Sequence, residues 1–109
     1  MKQYCLTLDL KDDQALIAEY KQYHVSIWPE IRASIIDSGI SNMEIYRFDV
    51  RLFMIMEVND DFSFEKKSAA DAANAKVQEW ETLMWNFQQK LPFAKEGEKW
   101  VLMNRIFKL

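Results

Sequence analysis

The sequence predicts an α+β domain in which a ferredoxin-like antiparallel sheet carries its helices on one face. Three observations lead there. The segments run strand, bent helix, strand, strand, helix, strand, which makes two βαβ-like halves with the second and third strands as a hairpin. The 109 residues contain no repeat, low-complexity stretch or linker, so the chain reads as one domain over residues 1–109. Half of the residues are hydrophobic, and 15 are aromatic (four Trp, four Tyr, seven Phe). That is rich for a small monomer, and a one-sided sheet has a second face to cover, so a homodimer is expected.

Gln3 to Leu10 alternates around Tyr4, Leu6, Leu8 and Leu10, the period of a strand with one buried face. Cys5 falls on the other face, where a packed, inert thiol is expected. Lys11-Asp12-Asp13 breaks the pattern. Either aspartate can cap the next helix, because its carboxylate accepts the free amides of the first turn. That helix carries Leu16, Ile17 and Tyr20 at helical spacing and is expected to reach about His24. Trp28-Pro29-Glu30 restarts it: proline suits a first helical turn and pushes the preceding residue out of helical geometry. The second half carries Ile31, Ile35 and Ile36 and stops at Gly39, where a left-handed cap is expected.

Ile40 to Phe48 and Leu52 to Val58 read as strands around the short turn Asp49-Val50-Arg51. On the first, Met43, Ile45 and Arg47 share one face and Glu44, Tyr46 and Phe48 the other. The second is nearly continuous apolar sequence, as in a strand covered on both faces, and its methionines read as core. Asn59-Asp60-Asp61 breaks the pattern and can cap again. Phe62 to about Ala75, alanine-rich with mixed charge, predicts a loosely amphipathic helix. Val77, Trp80, Met84, Phe87 and Leu91 recur at steps of three and four, the mark of a helix with one buried stripe, ended by Pro92. Lys95-Glu96-Gly97-Glu98-Lys99 is a charged loop expected to be solvated. Trp100 to Phe107 alternates as a closing strand, interrupted by Asn104 and Arg105.

The net charge of −3 leaves no basic patch and argues against a nucleic-acid partner. A single cysteine excludes an intramolecular disulfide and a thiol metal cluster. The start Met1-Lys2-Gln3 does not fit a signal peptide, and no apolar run approaches membrane-spanning length, so no membrane association and a cytoplasmic location are expected. There is no glycine-rich phosphate loop, no nucleophile elbow and no ligand set for zinc, so no metal is expected. Helix capping accounts for Asp12-Asp13 and Asp60-Asp61.

What remains is one imidazole and a set of aromatics. His24, the only histidine, stands one turn after Tyr20 on the same helix face and beside the bend at Trp28-Pro29. There a side chain can face a cavity, and a phenol and an imidazole that close can jointly hold a polar ligand and move its protons.

Tyr20-x-x-x-His24 followed by Ile27-Trp28-Pro29-Glu30 resembles the signature of the L-rhamnose mutarotase family and its wider sugar mutarotase relatives. The likeness continues through Ser38-Gly39-Ile40-Ser41-Asn42, Ile45-Tyr46, Leu52 to Val58, Gln78-Glu79-Trp80 and Leu91-Pro92, and so spans nearly the whole chain in order. It implies a dimeric α/β barrel and a cofactor-independent enzyme that interconverts the α and β anomers of a reducing sugar. Such a reaction needs no cofactor, metal or covalent intermediate. A base removes the anomeric hydroxyl proton, an acid protonates the ring oxygen, and the opened carbonyl rotates and closes on its other face. Imidazole can take either role near neutral pH. By resemblance, His24 is the acid/base, Tyr20 hydrogen-bonds the monosaccharide, and Trp80 offers its flat face to the sugar ring.

Two positions depart from the rhamnose pattern. Met43 stands where the family has a tyrosine, and Glu81 where it has a second tryptophan; both positions bind the sugar in the rhamnose enzymes. The pocket thereby loses a hydroxyl and an indole and gains a carboxylate, which makes L-fucose or a related deoxy sugar a candidate beside L-rhamnose. Tyr23 and Trp85 are conceivable replacements, packing being the simpler role for each. Rival readings of the same fold are a cofactor-free monooxygenase or haem-degrading protein, in which His24 ligates iron or steers a planar substrate, and a non-catalytic sugar-binding dimer. Neither explains the contiguous Tyr-His-Trp-Pro-Glu match.

Overall fold

The computed structural model describes residues 2–109. Its elements are β1 (Lys2–Leu10), α1 (Gln14–Val25), α2 (Pro29–Asp37), β2 (Ile40–Phe48), β3 (Arg51–Val58), α3 (Phe64–Ala72), α4 (Ala75–Met84), β4 (Gln88–Gln89) and β5 (Val101–Leu102). The sheet order is β2-β3-β1-β4, with β5 also on β1, and every pairing is antiparallel. This is the expected ferredoxin-like α+β arrangement, with β1 in the middle.

The register decides which side chains meet the helices. Leu6 lies opposite Met54 and Leu8 opposite Leu52, while Met43 and Ile45 lie opposite Met56 and Met54. These residues share one face. Leu10 and Leu52 on that face pack with Ile17, Tyr20, Ile31, Val77, Trp80, Met84 and Phe87 from the helical layer and the segment after α4. The opposite face carries Cys5, Phe53 and Ile55, only partly covered within one chain, together with Tyr46 and Phe48, 54% and 85% exposed. Within one chain β3 is fully covered on one face and half-covered on the other, as its alternation of buried and half-buried residues shows.

Local chemistry explains most boundaries. Asp13, rather than Asp12, caps α1: its carboxylate accepts from the amides of Ala15 and Leu16 at 3.0 and 3.1 Å. Pro29 opens α2 and Gly39 ends it at φ +97°, a conformation that strains any L side chain. The β2–β3 turn is two residues, Asp49 and Val50, and Asp49 takes the positive φ that a tight hairpin requires.

Four expectations are corrected. The cap after Asn59-Asp60-Asp61 is Ser63, whose hydroxyl accepts from the amide of Lys66. Residues 62–75 do not form one helix; α3 ends at Ala72, and Asn74 caps α4 through the amides of Lys76 and Val77. The stripe read as far as Leu91 leaves the helix at Met84; Phe87 is buried from the turn before β4 and Leu91 from the loop after it. A short extended segment with apolar residues three and four apart mimics helical period, and only its pairing with β1 distinguishes it. Finally, the closing strand from Trp100 shrinks to Val101–Leu102, and 103–109 is an exposed segment without regular structure.

Candidate active site

α1 and the bend after it place the two candidate acid–base groups. Tyr20 is buried on the core side of α1, its ring against Phe87 and 4.3 Å, centroid to centroid, from the His24 ring. His24 lies in the last turn, half-buried, and its Nδ1–H donates to the Tyr20 carbonyl at 2.8 Å. A carbonyl only accepts, so in the neutral imidazole Nδ1 carries the proton and Nε2 keeps its lone pair. Burial holds the His24 pKa below its ordinary 6.5, with the backbone hydrogen bond opposing. Burial likewise pushes the Tyr20 phenol up to about 12, so it stays a hydrogen-bond donor at neutral pH.

Between the sheet and the helices lies a cavity of about 300 Å³, at the low end of the ~300–1,000 Å³ typical of small-molecule sites. Tyr20, His24, Met43, Trp80 and Glu81, the five residues singled out from the sequence, all line it. Trp80 forms a packed aromatic wall, its ring meeting those of His24, Tyr23 and Trp28 edge-to-face at 5.7, 6.2 and 5.0 Å. Tyr23 and Trp85 stay outside the lining: Tyr23 packs on Trp80 and Phe87, and Trp85 lies beneath the Lys99 ammonium. His24 borders two further concavities, one toward Arg32 and Ser41 and one toward Lys21 and Arg47.

The polar equipment of the cavity exceeds what the sequence suggested. Lys99, assigned to a solvated loop, is 12% exposed and pairs with the Glu81 carboxylate and carbonyl. Glu81 and Lys99 both line the cavity, so this wall carries a carboxylate and a cation as a pair. Lys67 and Asp71, paired at 2.6 Å on α3, form another charged wall. Gln88 on β4 donates through Nε2 to the Tyr20 hydroxyl at 3.3 Å. Lys67 and Asp71 sat in a segment read as a loose helix, and Gln88 in one read as a helix end. Neither context marks a polar side chain as inward-facing. Among the described residues no cluster of three His, Cys, Asp or Glu side chains is placed to hold a metal, and no helix is long and apolar enough to cross a membrane.

The model of the L-rhamnose mutarotase family matches residues 3–109. The chain belongs to that family. An L-fucose mutarotase of Xanthomonas campestris pv. campestris is 46% identical over 111 positions, covering 100% of this chain and 89% of the relative. A UPF0734 protein of Dictyostelium discoideum is 36% identical, covering 99% and 90%. Among solved structures, an L-rhamnose mutarotase from Formosa agariphila superposes with a TM-score of 0.74 at 21% identity, covering 100% of this chain and 99% of that one. The tetracenomycin F2 cyclase of Streptomyces glaucescens, a type-II polyketide cyclase, superposes at 0.62 with 10% identity, covering 100% and 97%. At such low identity these two likenesses speak for the fold alone.

For a mutarotase of this family the expected reaction class, interconversion of sugar anomers, is the one its relatives support. Nothing among them supports the monooxygenase, haem-degrading or non-catalytic readings. The family signature maps onto the bend between α1 and α2, where Tyr20 and His24 look into the space that Trp80 closes.

Proposed function

We propose that this protein is a cofactor-independent mutarotase for L-fucose or a closely related deoxy sugar, acting as a single domain over residues 1–109. The observation that carries the reading is the convergence of Tyr20, His24, Met43, Trp80 and Glu81 on one cavity, with Nδ1 of His24 occupied by the Tyr20 carbonyl. In this reading the free Nε2 takes the proton from the anomeric hydroxyl. The imidazolium so formed returns it to the ring, and positioned transfer of this kind contributes ~10²–10⁴-fold. Tyr20, a phenol throughout the neutral range, donates to the sugar. Trp80 gives the apolar face against which the ring lies, and Met43 and Glu81 shape the end of the pocket.

The 46% identity to an L-fucose mutarotase favours fucose, as do the departures at Met43 and Glu81. The exposed apolar residues on the outer sheet face, Tyr46 and Phe48 above all, support a homodimer with two sheets face to face, the dimeric α/β barrel. A monosaccharide partner and a cytoplasmic location complete the proposal. NMR saturation transfer between anomeric protons, across L-fucose, L-rhamnose and pentoses, tests it. Acceleration greatest for L-fucose is expected. No acceleration for any sugar overturns the reading, and rhamnose fastest by a wide margin overturns the specificity.

A further inference from the structure

We propose that Gln88 is a sugar-binding residue of this site, its carboxamide holding a sugar hydroxyl together with the hydroxyl of Tyr20. The inference rests on the mutarotase reading and adds a residue that neither the family signature nor helical periodicity marks. Gln88 is 4% exposed, and its Oε1 is buried with no protein donor within reach. Its pairing with Leu10 places it on the core face of the sheet, where it lines the cavity with Tyr20 and His24. Its neighbours in the same layer, Phe87 and Leu91, are apolar and as deeply buried. An amide serving only to fill space there would leave its oxygen desolvated for no return, and an apolar side chain would be more stable.

The chemistry of a sugar hydroxyl matches what this pair offers. The Tyr20 oxygen already accepts from Gln88 Nε2, so its own hydrogen is free to be donated. Oε1 is free to accept. A hydroxyl is both acceptor and donor, so one sugar hydroxyl satisfies both at once. Turning the carboxamide over exchanges the roles but leaves the same account: one end is spent on Tyr20 and the other is left for a ligand.

The test is anomer exchange on L-fucose and L-rhamnose by NMR saturation transfer, for wild type, Gln88→Met, Tyr20→Phe and the double variant, with the exposed Gln89→Met as control. Gln88→Met should raise KM about tenfold with little change in kcat. It should raise KM again in the Tyr20→Phe background, because the amide touches the sugar itself. An unchanged KM, or a rise that disappears when Tyr20 is already Phe, overturns the proposal and leaves Gln88 a prop for the phenol. A second measurement survives misfolding of the variant: the Gln88 side-chain amide resonances of wild type, followed during L-fucose titration, should shift on saturation while those of Gln89 stay put. Unmoved Gln88 resonances overturn the proposal. If wild type binds sugar but accelerates nothing, the mutarotase reading falls by itself, and the same resonances still decide the contact. If no sugar binds, both fall.

Discussion

The imidazole Nδ1 of His24 lies 2.8 Å from the carbonyl oxygen of Tyr20, one helical turn earlier. α1 continues to Val25, so the Tyr20 carbonyl lies inside the helix, where the backbone ladder uses one of its two lone pairs and the imidazole takes the other. The bond fixes the imidazole tautomer, so the family's Tyr-x-x-x-His spacing, one helical turn, sets the chemistry as well as the placement of the pair.

His24→Ala removes the basic nitrogen and is expected to return exchange to the uncatalysed rate, a loss of ~10²–10⁴-fold. The fold should survive, because His24 is only half-buried and the lost backbone bond is worth about 1 kcal/mol. Saturation transfer and circular dichroism melting check the two halves. Near-wild-type exchange in the variant sinks the mechanism, and a melted variant marks His24 as a packing residue.

The pH dependence follows from the direction of the His24 shift. Burial holds its folded pKa below 6.5, so the neutral base dominates at pH 7, and kcat/KM is expected to be flat there and to fall with an apparent pKa below 6.5. Stability moves the same way. Between the depressed folded value and 6.5 the unfolded chain binds more protons, so this stability is present above 6.5 and is lost as pH falls through that window. As His24 is the only histidine, His24→Ala should remove this step from the stability profile, while the catalytic profile is read on wild type. The wild-type rate profile and the chemical-denaturation profiles of the two proteins provide the check.

Tyr20→Phe keeps a ring packed against His24 and Phe87 and removes only the hydroxyl. One neutral hydrogen bond to the sugar is worth ~1 kcal/mol, so KM should rise about fivefold with little loss of kcat. A collapse of kcat with unchanged KM contradicts this and makes the phenol a partner in proton transfer.

Much of the fold was legible because its signals are local. The alternation of Leu6, Leu8 and Leu10, the proline at the head of α2 and the glycine at its end each act within a few residues. The site was legible where a motif lies on one element, as Tyr20 and His24 do. Illegible were the residues placed by distant partners. Gln88 faces the core only because β4 pairs with Leu10, 78 positions away in sequence, and that strand is two residues long. Lys99 is covered only because Glu81 and Trp85 lie beneath its loop. No periodicity announces either.

The last prediction concerns assembly. Register places Glu44, Tyr46 and Phe48 of β2 opposite Ile55, Phe53 and Arg51 of β3, on the face turned away from the helices. Tyr46 and Phe48 are 54% and 85% exposed in the single chain. Two such faces related by a two-fold axis bury each other, and burying a Phe side chain is worth about 1.5–3 kcal/mol. A two-fold interface counts each residue twice, so Phe48→Glu is expected to weaken the dimer by at least ~3 kcal/mol, about two orders of magnitude in Kd. Light scattering at micromolar concentration should give about twice the 13.0 kDa of one chain for wild type and approach 13.0 kDa for Phe48→Glu. His24 lies on the helical side of the sheet, so the monomeric variant should keep most of its exchange activity at saturating sugar. A wild type that stays monomeric counts against the shared-sheet dimer. A Phe48→Glu protein that remains a dimer moves the interface elsewhere, to the exposed apolar segment of Ile106, Phe107 and Leu109.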